Sequence, residues 1–600
     1  MITSSPPNTS TDSTESTVPN GLRAQLTNSQ KTRNAQGDIE LTFDVSWPTS
    51  WRDPEGSPRG NWNALWIVCK ARFPEMVATL PAPLEAVVGA VSALGAVAAL
   101  LKSKLQLPGT KVEVEQHSVG GWTAHHTFDR DLGPGVKASF TNDLTATLDA
   151  DGSTVTVTHQ SRRHHVWLSG DSSDHTAPPG AVIRAMQDGA GVFLYRSADN
   201  AGTGPVTFSG VKLRVGASAI AWTNLDHIEL ELFTTEMVYI PEGPFQLGDP
   251  GANPSSGSLS CFHDPLTSST YEVTSEDAIR VSKVGPPPVL WYENEGHIGS
   301  PGTRQDIPAA FPKGHRAFYV MEHQISQGEY AEFLTSILHV SPNDATSFPY
   351  FQWFLLHYPY LNNYLRYTVS FHSRSQRCIA AAPELANNWM AWSDGAAFAA
   401  WYCLRPMTEL EYEKACRGPA PAVASELAWG TTELIQATEV HTGADGGQVG
   451  NGNCCYGNFD LAGQDGAVGG WGPLPSAGFL APQHEPSSRV STGASYYGVM
   501  GLSGNLWDLC VSAGNPEGLG FTGKPGDGKL VASIDMNNGG HDAELLWPPP
   551  TGVGVAFRGG SWYVSSVNEL RVADRTAGSG VGGYMSRCFD IGFRCAQTAP

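Results

Sequence analysis

Phe557-Arg558-Gly559-Gly560-Ser561-Trp562 and, close to the C-terminus, Ile591-Gly592-Phe593-Arg594-Cys595 decide how this chain reads. Both stretches are short and contain glycine, and both set a large aromatic close to an arginine. A Trp or Phe planted on irregular backbone buries a large area from a loop. A guanidinium presents five donors in a rigid fork, which ties loop carbonyls and carboxylates together. Working outward, the same combination of glycine and tryptophan recurs in Gly501-Leu502-Ser503-Gly504-Asn505-Leu506-Trp507-Asp508 and in Met390-Ala391-Trp392-Ser393-Asp394-Gly395-Ala396. Trp392, Trp507 and Trp562, with Arg558, Arg575 and Arg594, are therefore expected to be the frame of a loop-dominated second half.

Short helices interrupt those loops. Ser326-Gln327-Gly328-Glu329 is a capping box, in which the hydroxyl and the carboxylate each satisfy a free amide. Tyr330, Phe333, Leu334 and Leu338 then mark one face. A second capping box, Thr408-Glu409-Leu410-Glu411, opens a helix that Arg417-Gly418-Pro419 closes. A third short helix is expected from Ser393 through Phe398 to Trp401.

The first half has a different rhythm. Leu41 to Trp47 alternates as a half-buried strand does. Trp62–Val68, Val192–Tyr195, Val211–Val215 and Ile228–Leu232 add strands. Leu144–Leu148 and Ser153–Thr158 flank Asp149-Ala150-Asp151-Gly152 as a hairpin. The fold class that follows is α+β. A disordered tail is expected over 1–38, a mostly β domain over 39–234 and a loop-rich domain over 235–600. The charge-free run Ala86–Leu101 is too short for the ~18–20 residues that span a bilayer, so an apolar helical insertion is expected over about 82–105 and no membrane span.

Composition excludes several functions. The 600 residues carry 37 Lys+Arg against 58 Asp+Glu, a formal charge of −21. Nucleic-acid binding needs a basic surface that displaces counterions from phosphates, and anionic lipid attracts the same sign of charge. Neither partner is expected. Ten cysteines in a chain this long, with no CxxC, do not make a disulfide framework, and the vicinal Cys454-Cys455 is poorly shaped for zinc. The N-terminus lacks the basic and apolar regions of a secretory signal, so a cytoplasmic location is favoured over the cell surface or a phage particle.

Few motifs carry chemistry. HExxH and the GxSxG elbow are absent from the sequence. Gly518 to Lys524 imitates a phosphate loop, but Pro525 stands where a hydroxyl would hold magnesium. His125-His126 and His164-His165 point to opposite faces of any strand. Asp535, Asn537, Asn538 and Asp542 form an oxygen-rich loop without the EF-hand spacing.

In order along the chain, Met237–Gly248, Phe318–Ser326, Met390–Ala396, Leu404–Glu413, Gly501–Asp508, Phe557–Trp562 and Ile591–Cys595 make up seven blocks. Together they resemble the formylglycine-generating enzyme (sulfatase-modifying factor) family, whose domain is a variant of the C-type lectin fold. The resemblance implies a C-type-lectin-like C-terminal domain behind the mostly β N-terminal one. Enzymes of that family oxidise a substrate cysteine with copper held by two cysteine thiolates shortly after the Gly-Gly-Ser block. Here Val567 and Val572 stand about there, and Cys588 and Cys595 lie further on, so that oxidase chemistry is expected to be absent. Family calcium sites imply calcium as the one candidate cofactor, through Gly504, Leu506 and Asp508, although Gly501 replaces an acidic or amide residue.

The chain also resembles the variable proteins of diversity-generating retroelements, which carry this same fold and vary between Arg-Gly-Gly-Ser-Trp and Gly-Phe-Arg. The corresponding region, about 563–590, is rich in Tyr, Ser and Gly, residues typical of adaptable binding loops. Adenine mutagenesis of Asn codons cannot produce Lys, Glu, Gln, Met or Trp, and none occurs in Tyr563–Ser566 or Thr576–Tyr584. The implied ligand-binding, hypervariable positions are Tyr563, Val564, Ser565, Ser566, Val567, Asn568, Thr576, Ala577, Gly578, Ser579, Val581, Tyr584, Ser586 and Phe589. Arg558, Trp562, Arg571, Arg575, Phe593 and Arg594 would be scaffold. The expected function is non-enzymatic binding of a variable target, a protein, with the N-terminal domain supporting or oligomerising the display. The alternatives are a formylglycine-generating-type oxidase, and a purely structural component.

Overall fold

The computed structural model describes residues 24–72, 76–81, 110–117, 121–131, 137–148, 154–161, 163–199, 202–216, 229–251, 261–292, 304–337, 364–372, 377–437, 440–441, 448–449, 452–457, 472–474, 489–528, 546–549, 551–564, 566–577 and 587–600. The apolar helix expected over 82–105 and the oxygen-rich loop at 535–542 lie outside the described residues. Among those described, no helix is long and apolar enough to cross a membrane.

Strands β1 (Gln25–Arg33), β2 (Ile39–Ser50) and β3 (Asn63–Arg72) come first. Next, β4 (Met76–Pro81), β5 (Thr110–His117), β6 (Gly121–Asp131), β7 (Lys137–Leu148) and β8 (Thr154–Ser161) form an antiparallel sheet in the order β4-β8-β7-β6-β5. The expected hairpin is β7 with β8, Leu148 opposite Val155. Then follow β9 (His164–Val166), β10 (Ala181–Ala185), β11 (Val192–Arg196), β12 (Gly204–Arg214) and β13 (Glu229–Ile240). β14 (Phe245–Leu247) pairs with β15 (Tyr271–Val273), and β16 (Phe318–Met321) leads into α1 (Gln327–Ile337). β17 (Val369–His372) pairs with β18 (Arg377–Ala380). After them come α2 (Trp392–Trp401), β19 (Arg405–Pro406) and α3 (Glu409–Arg417). β20 (Val440–His441) pairs with β21 (Gln448–Val449). The chain closes through β22 (Trp507–Val511), β23 (Val555–Arg558), β24 (Ile591–Gly592) and β25 (Cys595–Thr598).

Two expectations about boundaries are corrected. The tail placed at 1–38 includes β1, which pairs antiparallel with β2 from Gln25↔Ser46 to Arg33↔Ile39. Its residues are almost all exposed, so β1 is a polar edge strand held by backbone hydrogen bonds and shows no hydrophobic periodicity. The boundary placed at 234/235 falls inside β13. That strand pairs with β3 from Glu229↔Arg72 to Val238↔Asn63 and with β16 from Met237↔Met321 to Ile240↔Phe318. One eight-stranded sheet, ordered β10-β11-β3-β13-β16-β25-β19 with β9 also on β3, therefore runs through both halves of the sequence.

β3 explains why the halves are inseparable. Its residues are buried on both faces. Leu65, Ile67 and Cys69 pack with Leu41, Phe43, Val45 and Trp47 of β2 and with Val211 and Leu213 of β12. Ala64, Trp66 and Val68 pack with α1 and α2 residues such as Phe333, Phe398 and Trp401. A strand buried on both sides reads as a continuous apolar run, as Ala64 to Val68 does. The three-stranded sheet β1-β2-β12 is thus the outer layer of a sandwich whose middle layer belongs equally to the helical side.

The helix starts follow the sequence. Ser326 N donates to Glu329 Oε2 at 2.9 Å and Glu329 N donates to Ser326 Oγ at 3.2 Å. Thr408 and Glu411 make the same reciprocal pair at 3.0 and 3.1 Å. Gly418 ends α3 at φ 65°, a conformation that favours glycine.

Candidate ligand-binding surface

The C-terminal region is hung from a small sheet. β22 lies between β23, antiparallel to it, and β24, parallel to it. The chain leaves β23 at Arg558 and returns at Ile591 on the opposite side of β22. Residues 559–590 are therefore clamped at both ends onto one strand, and Trp507 N donates to Asp590 O at 3.0 Å beside the return point.

Beneath this stretch lies α3, whose nine residues are all buried. An acidic helix tolerates that only because its charges are paired. Arg575 grips Glu409 with two bonds, Nε to Oε2 at 2.6 Å and Nη2 to Oε1 at 2.7 Å. Arg558 donates to Glu413 at 2.7 Å and to the Val572 carbonyl at 2.6 Å. Arg417 pairs with Glu413 and Glu426, and Arg405 with Glu411. The Arg575 guanidinium also stacks over Phe262, 3.9 Å from the ring centre. Arg594 donates to the Met321, Glu322 and Met500 carbonyls at 2.7–3.0 Å. Phe593 lies fully buried against Trp392 and Gly395. Arg571 differs from the other scaffold candidates, because its side chain is only half-buried and it holds the turn through backbone bonds to Asn568 and Asp574.

Above that frame the exposed residues begin. Tyr563 is 50% exposed and Val567 41%. Ser566, Asn568, Thr576, Ala577 and Phe589 are half-buried. Tyr563 is braced edge-on by Phe589, centres 5.0 Å apart, and by Trp562 at 5.7 Å, while Trp389 touches Phe589 at 5.9 Å. Val567–Leu570 forms one turn of 3-10 helix that lifts Val567 outward and turns Leu570 inward. Thr576 is fixed to Asp574, which accepts from both its amide and its hydroxyl.

One expected contact residue is corrected. Val564 is 9% exposed and packs in the core with Leu570 and Val572, while its carbonyl accepts from Gly457 N at 3.0 Å. Tyr563 and Val564 are neighbours in the chain whose side chains face opposite ways, one out and the other in. Ser565, Gly578, Ser579, Val581, Tyr584 and Ser586 lie outside the described residues.

Two of the three expected calcium ligands, Asp508 and the Leu506 carbonyl, are engaged in hydrogen bonds. Asp508 Oδ1 accepts from Gln324 Nε2 at 3.1 Å and Oδ2 from Arg594 Nε at 3.3 Å. The Leu506 carbonyl accepts from the same Gln324 amide at 2.6 Å. Gly504 N donates to the Gly559 carbonyl at 2.7 Å, and Cys454 Sγ and the Cys455 carbonyl crowd that glycine. Burial pushes the Asp508 carboxyl up, partly offset by Arg594. Gln324, 182 and 184 residues from these two partners in sequence, is what sequence reasoning missed. It converts a would-be oxygen site into a brace.

A thiol–copper centre does not fit these residues either. Val572 is buried, and its amide donates to the Glu426 carbonyl at 3.0 Å. Cys595 is a core residue whose thiol is pushed well up by burial. Cys588 is partly exposed and donates to Asp590 Oδ1 at 3.0 Å; burial, then the Asp590 charge, raise its thiol to about 12. Its proton is thus engaged by the Asp590 carboxylate. The other motifs dissolve similarly. His164 and His165 sit opposite Ala71 and Lys70 on successive positions of β9, and Gly518 belongs to a short turn, Pro516–Leu519, capped by the Asn515 side chain.

Comparison with known proteins agrees with this arrangement. The model of the sulfatase-modifying factor enzyme 1-like domain matches residues 229–599, beginning at the first residue of β13. No curated protein matches the chain. The match takes in β13, the helices, the α3 ion pairs and the clamped region 559–590, and the chain belongs to the sulfatase-modifying factor enzyme 1-like domain family.

Proposed function

We propose that this protein is a non-enzymatic ligand-binding protein: a C-type-lectin-like framework displays a hypervariable surface within 563–590, diversified by a retroelement, to bind a variable protein target. The observation that carries this reading is the sharp division between Tyr563, Ser566, Val567, Asn568 and Thr576, which reach solvent, and Arg558, Trp562, Arg575, Phe593 and Arg594, which are buried. A surface built to vary needs outward residues whose replacement leaves the buried network alone. Tyr563, held edge-on by the buried Trp562, offers rigid contact area at small entropic cost.

The test is genetic. Sequencing the DNA beside the gene is expected to find a reverse transcriptase and a near-copy of the 3′ end. Sibling alleles should differ at 563, 565–568, 576–579, 581, 584, 586 and 589, and agree at Trp562, Val564, Leu570 and Arg575. Variation spread evenly over buried and exposed positions, or no variation despite an active element, overturns the reading. Family membership favours one second reading, an oxidase of the formylglycine-generating type. Tight stoichiometric copper uptake with turnover of a thiol peptide, lost in Cys588→Ser and Cys595→Ser, would establish it.

A further inference from the structure

Away from the C-terminal surface, three side chains with metal-binding atoms meet where the two halves of the sequence join. Glu236 lies on β13, and Glu322 and His323 follow β16. The pairing of Met237 with Met321 brings 236 and 322 side by side, and Glu322 N donates to the Glu236 carbonyl at 3.0 Å. One ligand atom from each of the three side chains lies within 4.8 Å of the other two, and all three residues are buried. His323 Nε2 is 3.4 Å from Glu322 Oε1.

The surroundings orient this set. Asn63 of β3 donates from Nδ2 to Glu322 Oε2, and its own Oδ1 accepts from the Trp47 indole N–H at 2.7 Å. The Glu322 backbone is fixed as well, its carbonyl accepting from Arg594 Nη1 at 3.0 Å and Met500 N at 2.9 Å. A carboxylate held from behind by an amide that is itself held by a second donor is the outer-shell arrangement that fixes metal ligands. The ligands stand on, or directly after, adjacent strands of a large sheet, a rigid base for a site.

We propose that Glu236, Glu322 and His323 form a divalent transition-metal site of the zinc or manganese class that staples β13 to β16 at the seam between the N-terminal strands and the family domain. Two carboxylate oxygens and one imidazole nitrogen suit such an ion; calcium and magnesium prefer all-oxygen sets. Two ionised carboxylates buried this close repel each other, and a dication between them offsets that repulsion. Closing onto bonds of about 2.0–2.2 Å asks for a contraction of roughly 1 Å, within the reach of side-chain rotation. Three protein ligands leave a position for water. The role assigned is structural, and it does not depend on what the C-terminal surface binds.

The experiment uses the full chain. It is stripped with a chelator, then titrated with Zn²⁺ and, separately, Co²⁺, and read by metal analysis after gel filtration, by visible d–d absorption and by thermal melting. The expected result is about one ion per chain, cobalt bands of a mixed N/O site without thiolate charge transfer, and a melting temperature several degrees higher with metal. His323→Gln should weaken binding at least tenfold with far-UV circular dichroism unchanged. Should that variant fail to fold, Glu236→Gln serves, and the wild-type cobalt spectrum and melting shift stand alone. A folded chain that retains no zinc, shows no d–d bands and melts unchanged overturns the proposal in favour of carboxylates that share a proton beside an imidazolium. Undiminished binding by folded His323→Gln overturns it in favour of other ligands.

Discussion

Neighbouring residues of the 563–590 region have opposite fates, and the difference is measurable. Tyr563 is half exposed and Val564 is in the core. Tyr563→Ala gives up edge contacts with Phe589 and Trp562 and should cost only about 1 kcal/mol. Val564→Asp buries an uncompensated carboxyl and should cost about 3 kcal/mol or more, read from denaturant midpoints. Arg575→Lys is a stricter test of the frame. A lysine cannot make both bonds to Glu409 or lie flat on Phe262. It should destabilise by roughly 2–4 kcal/mol, and Arg575→Met should be no better, because it takes two charged bonds away from a buried Glu409. At this scale the sequence is readable where chemistry is emphatic: a Trp or Arg beside Gly-Gly announces an anchor. It is silent on Val564, since a valine in a Ser-rich run looks the same whether it faces in or out. It is silent on Asp508 too, because its partner Gln324 comes from a distant block.

Helices and strands are legible where a local code sets them, as both capping boxes and the Arg-Gly-Pro stop of α3 do. β1 escapes a sequence reading because an exposed edge strand needs no hydrophobic alternation. What an element contributes to pH behaviour emerges only in three dimensions. On α1, burial raises the Glu332 carboxyl to about 7, with Arg163 pulling it down and Glu231 pushing it further up. A carboxyl whose folded value lies above its unfolded 4.5 contributes stability that is complete below pH 4.5. That contribution is lost as pH rises through about 7. Glu332→Gln keeps the shape and cannot ionise. It should match the wild type within about 0.5 kcal/mol at about pH 4.5 and exceed it by about 1–3 kcal/mol at about pH 8. Urea melts at the two pH values check this, and an equal effect at both rejects it. α2 offers a steric counterpart. A Cβ on Gly395 would meet the Phe593 ring at 1.9 Å, so Gly395→Ala should cost about 1–3 kcal/mol despite alanine's better helix propensity.

At the scale of the whole molecule, β13 governs the outcome. Its sequence reads as one short strand, Ile228–Leu232, followed across Phe233-Thr234-Thr235-Glu236 by the first of the seven blocks, Met237–Gly248. Threonine and phenylalanine suit a strand, and nothing in the pattern marks an end or a continuation. The family match begins at Glu229, inside the same sheet as β3, β9, β10 and β11, which precede it. β3, β9, β10 and β11 do not form a separate body from β13. β3 supplies Trp66 and Val68 to one core and Leu65 and Ile67 to the other, while β11 adds Phe193 to the first and Leu194 to the second. Removing them would bare Phe233 and Met237 and leave one side of β13 unpaired, a long apolar edge of the kind that aggregates. The described sandwich and the family domain should therefore melt together, in one calorimetric transition detected alike by tryptophan fluorescence and circular dichroism. A fragment starting at 235, which cuts β13, should be insoluble or bind a hydrophobic dye. Two resolved transitions, or a fragment that stays monomeric with its near-UV signal intact, would mean that the shared sheet does not couple the halves. The coupling matters for recognition, because the Arg594 bonds to backbone carbonyls and the Asn63–Glu322 bond connect the sandwich to the base of the C-terminal surface. A rigid support of that depth lets outward side chains change without the framework moving.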